Sequence, residues 1–579
     1  MPSDPLSPAA GRRSRRRVLA TALVALLVVG TAAGALVVIV RPPWLHDLKT
    51  ALQQMPWIGQ PTVAPPTASP TPAPVTPGAT PNASFAGTAD TIPLERRPEF
   101  TYVGPRPWQI QSRSRRGRLI EGFASAPSYF AGGMLKLAVS TTAPRYDATI
   151  WRVSGSEPAE SPFVKVAAIE PRTGRQQAPP VIDPVTKMVR APWEYTTTFA
   201  IPSDWPSGVY IVRLNSSEGT QSYVPFVIRS RQATRFLVVS SALNWEAYNQ
   251  WGGSSVYATR IGEPLPGVTR AYGVSFDRPY ATDGGAGQLF FLELPLISWL
   301  ERQGLDVSFT TDYDLSIDPA SQPLPGAVIF NGHDEYWGVP LYNWLDSHVT
   351  AGDMGVAILA ADTGYWPVSL GGRGPDGPRD FVCLKDGPVP ASLLPPGHAP
   401  EPSEAPAATL PPGETEERSA TGYEALGPGG AGPYIGSFPD QPLFGVRYRG
   451  ITSVIGRYTV VTSGVVPQLL GGTGLAAGGS LGFIAGGEVD GVDPSLLGEL
   501  GGAYDHRFAV AANMAGRYPA TRYTAEAVWR DLPSGGRVFA SGTFYWGWGL
   551  DPAFAASHDV PPALSRLTLN ILGWLAKGR

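Results

Sequence analysis

The chain has 579 residues, a formal net charge of -3 and a sequence pI near 6.1. Its length exceeds one ordinary core and predicts roughly two to four domains, and its slight acidity argues against the basic face of a general nucleic-acid binder. Cys383 is the only cysteine, which excludes an intrachain disulfide and cysteine-based zinc sites.

The amino terminus has the pattern of a membrane anchor. Residues 1–17 are rich in arginine, and residues 18–41 contain an uncharged run about 34 Å long as a helix, enough to cross a bilayer. The positive-inside rule makes residues 1–17 a cytoplasmic tail and places the later domains outside the cytoplasm. "SRRRVLA" also resembles a twin-arginine export signal. Because no clear cleavage site follows, we expect an uncleaved span and a single-pass protein of the cell membrane.

The next two segments differ sharply in composition. Residues 42–96 are rich in Pro, Thr and Ala, which predicts a semi-extended stalk without a core of its own. Residues 97–230 contain short alternating strands such as "DATIWRV" and "GVYIVRL", separated by Gly, Pro and Ser turns. This pattern predicts an all-β, immunoglobulin-like sandwich.

Residues 231–579 show strands alternating with helical patterns. The strands "RFLVVSSA", "LDVSFTT", "GAVIF" and "GVAILAA" are interleaved with helices such as "ELPLISWLERQG". Such alternation predicts an α/β domain with a parallel sheet covered on both faces. A Pro- and Gly-rich stretch at about 385–442 is too long for an ordinary connection and is predicted to be an insertion.

Polar side chains follow the predicted ends of these strands. Because functional groups collect beyond the carboxyl ends of parallel strands, four loops are expected to meet at one pole of the sheet. Their chemistry-bearing residues are Tyr248 and Asn249, then Asp277, Arg278 and Tyr280, then His333, Asp334, Glu335 and Tyr336, and finally Asp362.

Eight short motifs in this domain resemble one known family. In chain order they are "NWEAYNQWGG", "SFDRPY", "WLERQG", "GHDEYW", "TGYW", "FVCLKD", "FGVRY" and "TFYWGWGLD". Together they are similar to the large (beta) subunit of N,N-dimethylformamidase and its relatives, from about residue 230 to the end. The resemblance implies a glutamine-amidotransferase-like fold for residues 231–579.

The resemblance also implies a mononuclear Fe(III) held by two Tyr and one Glu. Carried over, the carboxylate is Glu335, and the best phenolate candidates are Tyr248 and Tyr280. Tyr257 and Tyr336 lie close enough in the sequence to compete for these roles. Phenolates and carboxylates are hard oxygen donors that suit a trivalent ion.

The catalytic roles follow from the same comparison and from general chemistry. A bound cation can polarise an amide carbonyl and activate a water. His333 is expected to accept or deliver the proton, and Asn249 to donate a hydrogen bond to the oxyanion. Asp362 precedes "TGYW", where many relatives carry Asn, so its polar role and the substrate stay open. The predicted function is hydrolysis of a carbon–nitrogen bond in a small amide, with a small partner subunit or a homo-oligomer.

Two non-catalytic alternatives stay open. In one, the protein is a cell-envelope binding module whose aromatic residues hold a glycan: Trp245, Trp251, Trp337, Trp366 and Trp546. In the other, it is a scaffold whose amidotransferase-like domain has lost its chemistry. The segment "GGSLG" fits a nucleophile-elbow pattern but lacks the strand and helix that the motif requires, and "GEVDG" is interpreted as a structural turn.

Overall fold

The structure is a computed structural model. It describes residues 90–93, 107–110, 119–155, 161–257, 259–260, 263–264, 269–372, 374–385, 422–425, 434–461, 467–493, 507–517 and 521–576. The predicted cytoplasmic tail (1–17), membrane span (18–41) and most of the stalk (42–96) lie outside these ranges, as does most of the predicted insertion.

The predicted location in a cell membrane is corrected by this structure. No helix within the described ranges is long and apolar enough to cross a bilayer. We therefore withdraw the prediction of a single-pass membrane protein.

The carboxyl end of the predicted stalk is part of a sheet. Strand β1 (Thr91–Pro93) pairs antiparallel with Val454–Gly456, with Ile92 opposite Ile455. Ile92 packs against the main hydrophobic core. This apolar contact explains why a segment without a core of its own is ordered here.

The following strands form two packed sheets. A three-stranded sheet has the order β2-β4-β9 and a five-stranded sheet the order β3-β11-β10-β5-β6, while β7 and β8 form a separate pair. The strands are β2 (Ile120–Ala124), β3 (Ser128–Phe130), β4 (Met134–Thr141), β5 (Arg145–Val153), β6 (Phe163–Thr173), β7 (Val181–Ile182), β8 (Val189–Arg190), β9 (Tyr195–Ala200), β10 (Gly208–Ser216) and β11 (Gln221–Arg229). A core that includes Leu137, Ile150 and Phe226 lies between them. Their classification as immunoglobulin-like stays a prediction.

The second region begins with alternating strands and helices. Its elements are β12 (Phe236–Ser240), α1 (Ala242–Ala247), β13 (Ser254–Ser255), β14 (Thr259–Arg260), β15 (Glu263–Pro264), β16 (Thr269–Arg270), β17 (Gly273–Ser275), α2 (Leu294–Gln303), β18 (Val307–Thr311), α3 (Asp312–Ile317), β19 (Ala327–His333), β20 (Tyr336–Gly338), α4 (Val339–Ala351), β21 (Gly355–Ala361), β22 (Trp366–Gly371) and β23 (Asp380–Val382). A π-helical turn, Leu289–Glu293, leads into α2.

The carboxyl-terminal part is richer in strands. It contains β24 (Gly422–Ala425), β25 (Tyr434–Ser437), α5 (Asp440–Phe444), β26 (Arg447–Ile451), β27 (Val454–Val460), α6 (Pro467–Leu470), β28 (Ser480–Ala485), β29 (Glu488–Gly491), β30 (Arg507–Ala515), β31 (Arg522–Asp531), β32 (Arg537–Ala540), α7 (Pro552–Ser557) and α8 (Ala563–Leu575).

The main sheet is mixed, whereas the sequence predicts a parallel one. Its order is β1-β27-β30-β31-β32-β21-β19-β12-β18, and β28 also pairs with β27. The strands from β18 to β32 run parallel, and those from β32 to β1 run antiparallel. The connection from β31 to β32, residues 532–536, is too short for a parallel crossover, which forces these two strands to be antiparallel. The glutamine-amidotransferase-like classification stays a prediction.

A continuous core joins the sandwich to the mixed sheet. Trp151 and Tyr223 of the sandwich strands share one apolar cluster with Phe236 and Phe309 of the sheet. Polar contacts reinforce this junction, because the Arg379 guanidinium donates to the carbonyls of Ala124 and Ser125 at 2.9 and 2.6 Å. The mixed sheet therefore packs against the sandwich.

Candidate functional site

Three neighbouring parallel strands deliver polar residues to one edge of the sheet. Strand β12 leads into α1, whose carboxyl-terminal cap is Tyr248. Strand β19 ends at His333, two residues before Glu335, and β21 ends just before Asp362. Gly332 has φ +69, and a Cβ there would lie 2.7 Å from the Leu292 carbonyl oxygen, so only glycine fits this close approach.

Glu335 is the centre of the cluster. Its side chain is fully buried, and its two carboxylate oxygens face different partners. Oε1 accepts from the Tyr257 hydroxyl at 2.6 Å and from Lys385 Nζ at 3.2 Å. Oε2 accepts from the Tyr248 hydroxyl at 2.8 Å and lies 3.3 Å from His333 Nε2.

Tyr257 and Lys385 complete the Oε1 side. The Tyr257 oxygen lies 3.1 Å from the Tyr248 oxygen and accepts from the Tyr336 hydroxyl at 2.5 Å. Lys385 Nζ also donates to Tyr257 Oη, and it lies 5.1 and 5.0 Å from the ring centroids of Tyr336 and Trp366. The ammonium is thus held by aromatic faces and a carboxylate.

His333 links Glu335 to two further carboxyl groups. His333 Nε2 lies 3.0 Å from the Tyr248 hydroxyl and 3.8 Å from Glu488 Oε2. His333, Glu335 and Asp362 are all buried, and each offers one ligand atom within 4.8 Å of the others. The backbone N–H of Asp362 donates to Asp490 Oδ1 at 2.9 Å, which fixes the start of this loop.

The charged side chains of the cluster shift one another's pKa values. Burial by itself raises the pKa of Glu335, but the Lys385 ammonium and His333 outweigh it and lower this pKa to about 2. Burial by itself lowers the pKa of His333, but Glu488 and Glu335 outweigh it and raise this pKa to about 9. The pKa of Glu488 is raised, chiefly by burial. The Glu335 carboxylate is therefore ionised around neutral pH, as a metal ligand must be.

Helix α1, whose carboxyl-terminal cap is Tyr248, is held in place by hydrogen bonds to buried polar groups. Both carboxylate oxygens of Asp312 accept from Leu243 N, at 3.1 and 3.0 Å. Asn244 Oδ1 accepts from the backbone N–H of Glu335 at 3.3 Å and ties the helix to the carboxylate loop. These bonds set the position of Tyr248 relative to Glu335.

Four of the six predicted site residues meet in the cluster: Tyr248, His333, Glu335 and Asp362. Tyr280 does not appear among the contacts of the cluster within the described ranges, and its ring packs edge-on against Trp245, with centroids 6.1 Å apart. Burial raises the pKa of Tyr280 well above its usual value. Tyr257, named from the sequence as a competitor for this role, donates its hydroxyl to Glu335 Oε1 instead.

Asn249 also differs from its predicted role. Its amide nitrogen donates to Glu246 Oε1 and to the Pro279 carbonyl, and its oxygen accepts from two backbone N–H groups, those of Trp251 and Ala281. These bonds occupy the amide and tie the loop after α1 to the loop after β17. Asn249 is therefore a structural residue here, not an oxyanion donor.

Sequence reasoning missed two members of the cluster. Lys385 follows an apolar hairpin in "FVCLKD", and its charge so close to buried residues was the available signal. Glu488 belongs to "GEVDG", whose interpretation as a structural turn is corrected by the contact between Glu488 and His333. Strand β29 brings Glu488 to the site from a part of the chain that sequence spacing does not connect to β19.

The tryptophans proposed to hold a glycan are not available for one. Their exposures range from 0% to 4%: Trp245, Trp251, Trp337, Trp366 and Trp546. Several make hydrogen bonds inside the fold, such as Trp245 Nε1 to Glu293 Oε1 at 2.6 Å. The binding-module alternative thus loses its aromatic surface.

A family model described as "N,N-dimethylformamidase beta subunit-like, C-terminal" matches residues 159–559, more than half of the chain. A relative, the N,N-dimethylformamidase beta subunit of Alcaligenes sp., is 25% identical over 245 residues, which is 35% of this chain and 31% of the relative. The alignment therefore spans about a third of that relative's length.

Solved structures also match this chain, and one example is a cycloisomaltooligosaccharide glucanotransferase of Paenibacillus sp. in complex with cycloisomaltoheptaose, with a TM-score of 0.13 and 8% identity over 46% of this chain and 33% of that chain. A TM-score this low carries no argument about the fold.

Proposed function

Because this chain belongs to the N,N-dimethylformamidase beta subunit-like family, we propose that it is a metal-dependent hydrolase that cleaves the carbon–nitrogen bond of a small amide. The observation that carries the proposal is the convergence of Tyr248, Tyr257 and Glu335. Their oxygens lie 2.6 to 3.1 Å from one another. Ordinary surface tyrosines have no reason to crowd one buried carboxylate in this way.

The donor set fits a hard, highly charged cation. Two phenol oxygens and one carboxylate would hold Fe(III), because hard oxygen ligands match a hard trivalent ion and soft or nitrogen ligands are few here. When bound, such a cation supplies Lewis-acid polarisation of a carbonyl and a lower pKa for a coordinated water. Around neutral pH the Glu335 carboxylate is already ionised, so it needs no proton release to take part.

The surrounding side chains have separate roles. Lys385 Nζ presents a positive charge beside Glu335 Oε1 and stabilises negative charge that develops on the amide oxygen. His333 Nε2 lies beside Glu335 Oε2, and because its pKa is raised to about 9 it is protonated around neutral pH and can deliver a proton to the departing amine. Asp362 and Glu488 lie next to His333 and orient it. Burial of His333, Glu335 and Asp362 excludes bulk water from these exchanges.

The size of the substrate follows from this burial. Among the cluster residues, Tyr248, Tyr257 and Glu488 retain partial exposure, while Glu335 and Tyr336 are fully covered. Only a small amide could reach Glu335 past these side chains. The relative named above is a beta subunit, and we propose that this chain too works with a partner subunit or as an oligomer.

Hydrolysis assays on matched variants test the proposal. The iron-loaded protein should release amine or ammonia and a carboxylic acid from small amides. Glu335→Gln keeps the shape but loses the charge, and it should abolish both turnover and iron retention. Glu301→Gln, on α2 at the contact with the sandwich, is the control and should retain both. Turnover in iron-free protein, or full turnover in Glu335→Gln, would contradict the proposal.

A further inference from the structure

We propose that Trp251 is a positioning residue, through which the sandwich sets the spacing of the two phenol oxygens at the site. Tyr248 and Tyr257, which supply these oxygens, are the two ends of one loop, and Trp251 belongs to that loop. The inference rests on the proposed function and gives the sandwich a part in it. It is carried by contacts at the base and at the tip of the loop.

The base of the loop is closed by hydrogen bonds to Ala247, next to Tyr248. The Ala247 carbonyl accepts from the Val256 N–H at 3.2 Å and from the Ser255 hydroxyl at 3.0 Å. Ser255 Oγ in turn accepts from the Tyr257 N–H at 3.0 Å. These bonds bring the rings of Tyr248 and Tyr257 together, and their centroids are 4.5 Å apart. The positions of the two phenol groups therefore depend on how this one loop is held.

The tip of the loop is inserted into the sandwich. Only 4% of Trp251 is exposed, and its ring packs edge-on against Trp193, with centroids 5.6 Å apart. Trp251 Nε1 donates to Glu121 Oε1 on β2 at 3.1 Å. The ring also belongs to an apolar cluster whose other buried members come from the sandwich: Phe123, Ala138, Val189 and Ala191. The ring and the N–H of Trp251 therefore both contact the sandwich.

Gly252 lets the tip approach strand β8 closely. It has φ +77, and a Cβ at this position would lie 2.4 Å from Val189 Cγ1, so a larger residue would push the loop away. Arg278 fixes the same turn, because its guanidinium donates to the carbonyls of Trp251 and Ser254 at 3.3 and 2.8 Å. The tip is thus restrained by the sandwich and by the loop after β17.

A displaced tip would alter the distance between the Tyr248 and Tyr257 oxygens, which lie 3.1 Å apart. Functional groups must be held within about 0.5 Å of the productive geometry. Loss of a contact that orients a metal ligand usually lowers metal affinity about ten- to a hundredfold. We expect the lower end of this range for Trp251→Phe, because the smaller ring keeps part of the apolar contact but loses the donor to Glu121.

Iron binding by the full chain tests this inference. Trp251→Phe should bind iron(III) about tenfold more weakly than wild type and should shift the phenolate-to-iron charge-transfer band. Trp205→Phe is the matched control, because Trp205 stacks on Tyr210 in a separate apolar cluster of the sandwich, and it should change neither quantity. Unchanged affinity and an unchanged band in Trp251→Phe would overturn the inference, as would equal changes in Trp205→Phe.

A rescue experiment tests the contact with β8. Gly252→Ala should weaken iron binding, and adding Val189→Ala, which shortens the side chain that faces Gly252, should restore part of the affinity. A general loss of stability would not be reversed by a second substitution that removes buried atoms. Additive losses of affinity in the double variant would contradict the inference.

Hydrogen exchange in the iron-free full chain separates this inference from the proposed function. The Val256 N–H at the base of the loop should exchange faster in Trp251→Phe than in wild type, and at the wild-type rate in Trp205→Phe. If this pattern appears in a protein that binds no iron, the proposed function fails while the positioning role of Trp251 stands. Equal exchange of Val256 in wild type and in Trp251→Phe would overturn the inference.

Discussion

Glu335 connects two groups of side chains, because each of its carboxylate oxygens has its own set of partners. The Oε1 side holds Tyr257 and Lys385, and the Oε2 side holds Tyr248 and His333. One carboxylate can therefore serve as a cation ligand and also lie between two positively charged side chains, Lys385 and His333. This arrangement explains why the side chain is fully buried even though an isolated buried charge is costly.

Substitution of Lys385 tests the donor side. Lys385→Met keeps the length and apolar contacts of the side chain but removes its charge. We expect kcat to fall about a hundredfold, the usual loss when one donor to a developing oxyanion is removed. Initial rates and iron content should be measured together, with Lys136→Met at the surface as control. Unchanged kcat with iron retained would show that the ammonium has no catalytic part.

Some of the site residues could be predicted from the sequence. Glu335 and Tyr248 could be located because each directly follows a strand or a short helix at the sheet edge. Tyr257 could be named only as a competitor of Tyr280, since both lie in the long segment after α1 and spacing does not say which one turns inward. Lys385 and Glu488 arrive from a hairpin and from β29, and only the folded chain brings them to β19.

Among the elements, α1 shows how a six-residue helix can be positioned accurately. Its first turn is held by Asp312 through Leu243 N, and Asn244 binds the Glu335 backbone. The parallel half of the sheet was accessible to prediction because its strands alternate with helices. The antiparallel half could not be predicted in this way, since the apolar patterns of β27 to β31 fit parallel and antiparallel strands equally well.

Removal of the Asp312 carboxyl should destabilise this element. Asp312→Ala leaves the buried Leu243 N–H without its acceptor, and we expect a loss of about 1–3 kcal/mol in the free energy of unfolding. Asp312→Asn retains an acceptor oxygen and should cost less. Urea unfolding of both variants measures the difference. Equal stability of wild type and Asp312→Ala would show that α1 does not depend on this contact.

Glu293, at the end of the π-helical turn, should make stability depend on pH. Burial raises its pKa from 4.5 to about 8, even though Ser241 N and Trp245 Nε1 donate to it. Between these values the unfolded chain is ionised and the folded chain holds the proton. Its stabilising contribution is therefore complete below about pH 4.5 and is lost as the pH rises through about 8.

Glu293→Gln removes this titration while keeping an acceptor oxygen for Trp245. Urea unfolding at pH 5.5 and pH 8 should give a smaller decrease in the variant than in the wild type. The same decrease in both proteins would mean that other groups cause the pH dependence.

For the whole molecule, the sandwich and the mixed sheet are expected to unfold together. They share an apolar core, and Arg379 is buried between them. Its guanidinium donates to the carbonyls of Ala124, Ser125 and Phe276 and to the Asp277 carboxylate.

Arg379→Ala would leave these acceptors buried without their donor, and we expect it to lower the free energy of unfolding by about 3–5 kcal/mol. Lys136→Ala removes a partly exposed ion pair with Asp376 and should cost at most about 1 kcal/mol. Scanning calorimetry should give one main transition that Arg379→Ala lowers; two separate transitions in the wild type would contradict a shared core.

The central claim is that Tyr248, Tyr257 and Glu335 bind one cation. Visible absorption of the iron(III)-loaded protein tests it most directly, because a phenolate bound to ferric iron gives a charge-transfer band. We predict that this band is lost or strongly shifted in Tyr257→Phe and in Tyr248→Phe and is unchanged in Tyr280→Phe. A colourless protein that retains no iron, or a band that responds to Tyr280→Phe and not to Tyr257→Phe, would contradict the account.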